Sequence, residues 1–270
     1  MKYTILMSVY KADTAKRVKI ALESTRKNLN LPTEYLIYID GPIDPDVKSV
    51  IEDFAIDLPV RVVESKANTG LANAINQLLP LVETEFVARV DADDENKEGR
   101  FDRQIEFILK ERIDVCGGQI EEWEERTNTI LGKRIVPIDH LSIAKLMKFR
   151  SPMNHMTVMM KSSYLRKVGG YPIVHFAEDY ALWVKMYRSG ATYGNVDEIL
   201  VKATVDERFY NRRSGVRYLT SQLKLQKFLR NEGLVNSFEF YFNIVVRTAI
   251  ALCPNEIRRR FYLLTLRTKA

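Results

Sequence analysis

Cysteine is scarce in this chain. Only Cys116 and Cys253 occur among 270 residues, far apart and without a Cys-x-x-Cys spacing. That excludes a disulfide framework and fits a reducing compartment. Long apolar runs are missing too: no stretch reaches the ~18–20 uninterrupted apolar residues of a membrane span. The opening ten residues, Met1 to Tyr10, have neither the length nor the cleavage site of a secretory signal. Glycine-rich phosphate loops are also absent. No Gly-x-Gly-x-x-Gly follows the first apolar run and no Gly-x-x-x-x-Gly-Lys-Ser/Thr occurs, so the dinucleotide and P-loop solutions for phosphate do not apply. There is no repeat and no low-complexity tract.

What is present is ordinary for a folded protein: 46% hydrophobic and 28% charged residues, enough for one large α/β domain or one domain with an appendage. The net charge of +6 is unevenly spread. Residues 211–270 hold 12 Lys/Arg and 3 Asp/Glu, a balance of +9 that leaves about −3 for residues 1–210. A basic tail on a slightly acidic body points to an anionic surface as partner, unless the charge is simply a solvated helical face.

The N-terminal third alternates two periodicities. Residues 3–9 form a short apolar run that reads as a buried strand. Over 13–29, Ala15, Val18, Ala21, Leu22, Thr25 and Leu29 recur at spacings of three and four, predicting a helix capped by Asp13 or Thr14. A strand at 35–39 stops at Asp40-Gly41-Pro42, a turn signal. A helix at 45–56, a strand at 60–63, a helix at 71–82 and a strand at 85–90 follow. Such alternation implies βαβ units on a mostly parallel sheet, whose ligand sits at the carboxyl ends of the strands. Ser8, Asp40 and Asp91 all fall at such ends.

Beyond residue 100 the pattern is less regular. Helices are expected at 101–110, 142–149, 176–189, 216–231 and 237–252, strands at 115–121 and 157–160, and a turn at Gly169-Gly170-Tyr171-Pro172. The charge balance changes near 210, which divides a body at 1–210 from a basic helical region at 211–270.

Asp91-Ala92-Asp93-Asp94 carries the most chemistry. Two carboxylates one residue apart at a strand end suit a hard cation, Mn²⁺ or Mg²⁺, and such an ion needs only one or two of them beside a substrate's phosphates. An Asp-x-Asp alone is weak, since acidic loops are common; its place after the fourth strand strengthens it.

The ordered set Ser8-Val9-Tyr10, Asp40-Gly41, Asn68-x-Gly70-Leu71-Ala72-x-Ala74-x-Asn76, Arg89-x-Asp91-Ala92-Asp93-Asp94 and Glu178-Asp179-Tyr180-x-Leu182-Trp183 resembles family 2 of the inverting glycosyltransferases, over about residues 3–215. The resemblance implies a GT-A fold, a Rossmann-like sheet flanked by helices, with a nucleotide-sugar half over 1–95 and an acceptor half over 96–210. It also implies roles. Ser8 and Tyr10 shape a uridine pocket, and Asp40 accepts from the uracil edge. Ile39 stands where the family often has a second Asp. Asn68 and Gly70 line the nucleotide side, Arg89 orients the donor, Asp91 meets ribose or sugar hydroxyls and Asp93 binds the metal, Asp94 being a poorer candidate. Asp179 is the expected catalytic base, although Glu178-Asp179 by itself also fits an acidic pair at a helix N-terminus. His155, Glu178 and Trp183 are expected near the acceptor or the donor diphosphate, although Trp183 itself reads first as core. Arg212 and Arg213 resemble a basic loop over the donor, a clamp that suits a diphosphate.

Residues 237–252 combine Phe238, Phe240, Tyr241, Phe242, Val245 and Val246 with two charges, Glu239 and Arg247, and Arg258-Arg259-Arg260 follow. This reads as an interfacial helix on an anionic membrane or as a tail helix packed on the body. The expectation is a cytoplasmic protein, peripheral on the inner face of the cytoplasmic membrane. Similarity to short bacterial O-antigen and exopolysaccharide transferases implies a UDP-sugar donor, galactose or glucose, and a lipid-linked acceptor such as GlcNAc-diphospho-undecaprenol. Two other readings are weaker. A nucleotidyltransferase needs a glycine-rich loop after the first strand, where Tyr10-Lys11-Ala12-Asp13 stands. A nucleic-acid-binding module needs a basic stripe on a recognised binding fold, and no nucleic-acid partner is expected.

Overall fold

The computed structural model describes residues 1–205 and 215–253. The first half runs β1 (Tyr3–Tyr10), α1 (Ala15–Thr25), β2 (Glu34–Asp40), α2 (Pro45–Ala55), β3 (Val60–Glu64), α3 (Leu71–Leu78) and β4 (Phe86–Asp91). The second half runs β5 (Glu95–Asn96), α4 (Arg100–Glu111), β6 (Val115–Glu124), β7 (Thr129–Arg134), α5 (His140–Met147), β8 (Met159–Lys161), α6 (Ser162–Lys167), α7 (Glu178–Arg188) and β9 (Tyr193–Thr204). Two helices close the described chain, α8 (Gly215–Asn231) and α9 (Ser237–Leu252).

The strands form one nine-stranded sheet in the order β3-β2-β1-β4-β8-β6-β9-β5, with β7 paired outside β6. The first four strands are mutually parallel, each return made by a helix. β8 enters antiparallel to β4 and to β6, so the regular winding ends there. Ligands of open α/β sheets collect at such a change of winding.

Alternating side chains send each strand into two cores. Ile5, Met7, Tyr35, Ile37, Phe86 and Ala88 meet α1, α2 and α4 through Val18, Leu22, Val47, Ile51, Phe101 and Ile105. Leu6, Leu36, Tyr38 and Val87 meet α3, α5 and α7 through Ile75, Leu78, Met147 and Trp183 on the other face. Burial on both faces is why these strands read as continuous apolar runs. The C-terminal helices belong to the second core, adding Leu225, Leu229 and Phe240.

Several boundaries differ from the sequence pattern, each for a local reason. The first helix starts after Thr14, whose hydroxyl caps Arg17 N–H, and ends at Thr25 instead of Leu29. Ser24 and Thr25 turn their hydroxyls back onto the Ala21 and Leu22 carbonyls, and the Asp102 carboxylate takes the N–H groups of Leu29 and Asn30. The helix at 71–82 tightens into a 3₁₀ turn, Leu79–Leu81, around Pro80, which cannot donate within a regular helix. β5, β7, α6 and the twelve-residue β9 were not legible at all.

Candidate active site

Strand register assembles the donor side. Ser8 pairs with Asp91 across β1 and β4, and Tyr10 pairs with Asp40 across β1 and β2. The period of two puts Ser8, Tyr10 and Asp40 on the α3 side of the sheet, while Val9 and Ile39 point into the opposite core. The residue standing in place of the family's second Asp is therefore a core residue here, and Asp40 is the carboxylate left at that strand end.

Asp40 is 3% exposed and organises the loop before α3. Its carboxylate accepts from Thr69 N–H (2.6 Å), Thr69 Oγ1 (2.9 Å) and Gly70 N–H (2.9 Å), while Asn68 Nδ2 donates to its main-chain carbonyl at 3.1 Å. A carboxylate offers about four lone-pair positions, so this leaves room for one more donor. The loop can come this close because residue 41 is glycine: its φ is +86°, and a Cβ there would sit 2.8 Å from the Asn68 nitrogen. Gly70 also has φ +86° at the N-terminus of α3.

At the end of β4, the carboxylates of Asp91, Asp93 and Asp94 converge, with one ligand oxygen from each within 4.8 Å of the others. Asp94 is 5% exposed, and burial, then Asp93 and Asp91, pushes its carboxyl well above the usual range. Asp13 faces the same group. It does not cap α1; its carboxylate accepts from Tyr10 N–H at 2.8 Å, and burial reinforced by Asp93 and Asp91 pushes it up to about 7. Carboxylates that raise one another in this way fit a divalent cation, which would relieve the repulsion.

Two buried arginines lie under the cluster. Arg89 is 3% exposed, contacts Asp91 Oδ1 at 2.8 Å and donates to the Leu6 and Val90 carbonyls. Its guanidinium is thus spent on Asp91 and the main chain, so Arg89 holds Asp91 in place. Arg100, fully buried, donates to the Arg89 carbonyl at 2.8 Å and to Asn96 and Gln104. Burial lowers its pKa to about 9 against the pull of Asp91. Thr204, at the end of β9, fastens the motif from above: its hydroxyl donates to the Asp93 carbonyl at 2.6 Å and its N–H to Asp94 at 2.8 Å. No sequence signal marks Thr204, because β9 itself was not foreseen.

A second group of candidate residues stands on α7 and the 3₁₀ turn His155–Thr157. His155 Nε2 and the Tyr171 hydroxyl are 2.9 Å apart. Burial lowers the imidazole pKa while both Asp91 and Asp179 pull it back up, so both carboxylates are near enough to act on the ring. Asn76 holds Tyr171 in place: its amide donates to the Tyr171 carbonyl (2.9 Å) and accepts from its N–H (2.7 Å). That clasp needs Gly170, where a Cβ would lie 2.3 Å from Asn76 Oδ1. The last member of the 68–76 motif thus ties the donor-side helix to the acceptor-side turn.

Glu178 and Asp179 open α7. The turn before them carries a positive φ of 63° at Phe176, uncommon for an aromatic residue. Glu178 is held up by burial and by Asp179, and its Oε2 is buried with no hydrogen-bond partner. Trp183, expected among the acceptor-facing groups, is fully buried behind His155, with ring centroids 6.0 Å apart. It backs the imidazole and cannot touch a ligand. Arg212 and Arg213 lie outside the described residues.

A sheet with carboxylates gathered at its parallel strand ends, a metal-compatible cluster among them, and an antiparallel strand where the winding ends has the arrangement of the GT-A fold. The model of Glycosyl transferase family 2 matches residues 4–169. An uncharacterized glycosyltransferase from Haemophilus influenzae is 31% identical over 99% of this chain and 100% of its own length. The UDP-Gal:alpha-D-GlcNAc-diphosphoundecaprenol beta-1,3-galactosyltransferase of Escherichia coli is 31% identical over 97% of this chain and 95% of its own. Among solved structures, S. aureus TarS 1-349 in complex with UDP-GlcNAc superposes with a TM-score of 0.70 at 18% identity, over 99% of this chain and 76% of that one. The chain spans 46% of the longer TarS structure. The chain belongs to glycosyl transferase family 2.

Proposed function

We propose that the protein transfers a hexose, galactose or glucose, with inversion from a UDP-sugar to a lipid-linked saccharide ending in GlcNAc-diphospho-undecaprenol, in O-antigen or exopolysaccharide assembly. The observation that carries this reading is the converged carboxylate cluster, with Asp179 at the start of α7 acting, like Asp91, on the His155 imidazole. The donor and acceptor classes are supported by the name of the E. coli relative.

On this reading Ser8, Tyr10 and the loop held by Asp40 receive the nucleoside, with the free position on Asp40 available to a base N–H. Asn68 and Gly70 form the wall of that loop. Asp91, held by Arg89, accepts from ribose or sugar hydroxyls. Asp93, with Asp94 and Asp91 beside it, would hold Mn²⁺ or Mg²⁺, whose charge offsets that developing on the departing diphosphate. By the family resemblance, Arg212 and Arg213 would add cationic donors for that diphosphate. Asp179 takes the proton of the acceptor hydroxyl as its oxygen bonds to the anomeric carbon and the bond to UDP breaks. The products are a β-glycoside, UDP and protonated Asp179. Glu178, kept protonated more easily by burial, and His155 line the acceptor approach.

We assign residues 1–210 to catalysis and 211–270 to contact with the cytoplasmic face of the membrane. No helix among the described residues is long and apolar enough to cross a bilayer. The test is Asp179→Asn, the closest neutral shape. It should abolish transfer and leave UDP binding and melting temperature near wild type; full activity in this variant refutes the base assignment.

A further inference from the structure

α9 is apolar on two faces. Its inner face packs Phe240 and Ile244 on the second core, and its polar residues also tie it to the body. Glu239 pairs with Lys148 at 2.8 Å, Asn243 Nδ2 donates to the Lys148 carbonyl at 2.8 Å, and Arg247 donates to Gln222 (2.7 Å) and to the Phe149 carbonyl (2.6 Å). The outer face, at the i, i+3, i+4, i+7 spacing, is Phe238, Tyr241, Phe242 and Val245, exposed to 79%, 62%, 50% and 67%. A helix on a water-facing surface carries the opposite pattern. The patch continues onto the end of α5: Phe242 meets Phe149, itself 42% exposed, at 6.4 Å, and Phe238 stacks on Phe242 at 6.4 Å.

We propose that this face, Phe149 with the outer stripe of α9, is the surface by which the protein seats itself on an anionic phospholipid bilayer, presenting the α7 side of the cleft to the lipid. The inference rests on the reading of the acceptor as lipid-linked and adds the docking face and its orientation. Three observations favour a bilayer over a second protein. The exposed stripe holds no charge, as a segment resting among acyl chains requires, and combines Phe with the amphipathic Tyr. The 17 residues that follow Cys253 carry Arg258, Arg259, Arg260, Arg267 and Lys269 against one acidic residue, Glu256, a charge complementary to anionic headgroups. The patch is also tied to the base-bearing helix. Tyr180, next to Asp179, donates to the Met147 carbonyl at the end of α5 at 2.5 Å, and Arg247 of α9 lies close enough to act on the Tyr180 hydroxyl. A bilayer touching Phe149 and Phe242 therefore lies beside the contact between α5 and the helix that carries Asp179.

The test uses the full chain and co-sedimentation with vesicles of phosphatidylethanolamine and phosphatidylglycerol, with neutral phosphatidylcholine vesicles as contrast. The wild type should bind the anionic vesicles more tightly, and salt should weaken that preference. F238S/F242S should lower the partition coefficient by roughly tenfold for each aromatic side chain withdrawn, and F149S should lower it further. R258Q/R259Q/R260Q should erase the anionic preference while leaving weak binding to both vesicle types. With a water-soluble, short-chain GlcNAc-diphosphate acceptor, F238S/F242S should keep wild-type transfer, which also verifies that it folds; with the acceptor embedded in vesicles, transfer should fall along with binding. Unchanged vesicle binding in F238S/F242S overturns the proposal. So does a wild-type dimer, seen by analytical ultracentrifugation, that the same substitutions dissociate, because the patch is then an interface between copies. If the wild type binds vesicles through this face but transfers sugar to neither acceptor, the enzymatic reading fails and the docking face stands.

Discussion

Thr204→Val isolates the tether of the acidic motif. Valine keeps the shape of the side chain and the N–H that reaches Asp94, and removes only the hydroxyl that donates to the Asp93 carbonyl at 2.6 Å. A hydrogen bond of this kind contributes about 0.5–1.5 kcal/mol net. In a domain of this size that corresponds to a fall in melting temperature of roughly 2–4 °C per kcal/mol. If the bond holds the Asp93 main chain in its binding geometry, most of the same free energy is also lost from the donor complex, and about 1.4 kcal/mol is tenfold in affinity. Calorimetric titration of UDP at fixed Mn²⁺, and of Mn²⁺ at fixed UDP, should both weaken by up to about tenfold in Thr204→Val. Thr204→Ser retains the hydroxyl and should stay close to wild type in both titrations. Wild-type affinities in the valine variant, or an equal loss in the serine variant, would refute a positioning role for the hydroxyl.

Three further outcomes are expected. Asp93→Ala should make UDP binding indifferent to Mn²⁺; if the metal still tightens UDP as in wild type, Asp93 is not its ligand. Asp13, raised from its ordinary 3.8 to about 7, takes up a proton on folding, so its contribution to apoprotein stability is greatest below that window and falls as pH rises toward 7. A cation brought to Asp91 and Asp93 favours loss of the Asp13 proton, so apparent Mn²⁺ affinity should climb with pH through the range near 7 in which Asp13 titrates. Asp13→Asn should flatten that climb, and an unchanged profile in the variant would show that Asp13 is not coupled to the site. Gly170→Ala, which drives a Cβ to within 2.3 Å of Asn76 Oδ1 and 2.8 Å of Leu79 Cδ1 at φ +79°, should cost roughly 1–3 kcal/mol more than Gly169→Ala by urea unfolding. Gly169 has a similar φ of +77° with nothing within 4 Å of its Cβ, so equal costs would mean that the Asn76 clasp is loose.

The donor side of the molecule was legible because its signals are local. β1 to β4 are buried on both faces, so each reads as an apolar run with its functional residue at the end, and parallel register then brings Ser8, Asp40 and Asp91 together. The acceptor side depends on long-range geometry that leaves little trace in the chain. β9 is the clearest case: its pairing with β6 slips between Gly118 and Ile120, bulging out Asp197 and Glu198, so its alternation is broken midway and it was missed. Thr204 was lost with it. β7 leaves little signal because only one of its six residues, Gly132, is buried, and β5 because it is two residues long. Asn76 was noticed as part of a motif, but nothing in the chain said that it reaches 95 residues ahead to Tyr171. Arg89 and Trp183 show the reverse limit. Their place in a motif groups each with the ligand-binding residues, and burial shows that each packs against a neighbour, Asp91 and His155.

The most direct measurement is transfer from UDP-galactose and UDP-glucose to a GlcNAc-diphospho-lipid analogue in the presence of Mn²⁺, with the new anomeric centre read by NMR. A β-linked hexose from the α-configured donor is the predicted product. An α-linked product, or none from either donor, would contradict the account.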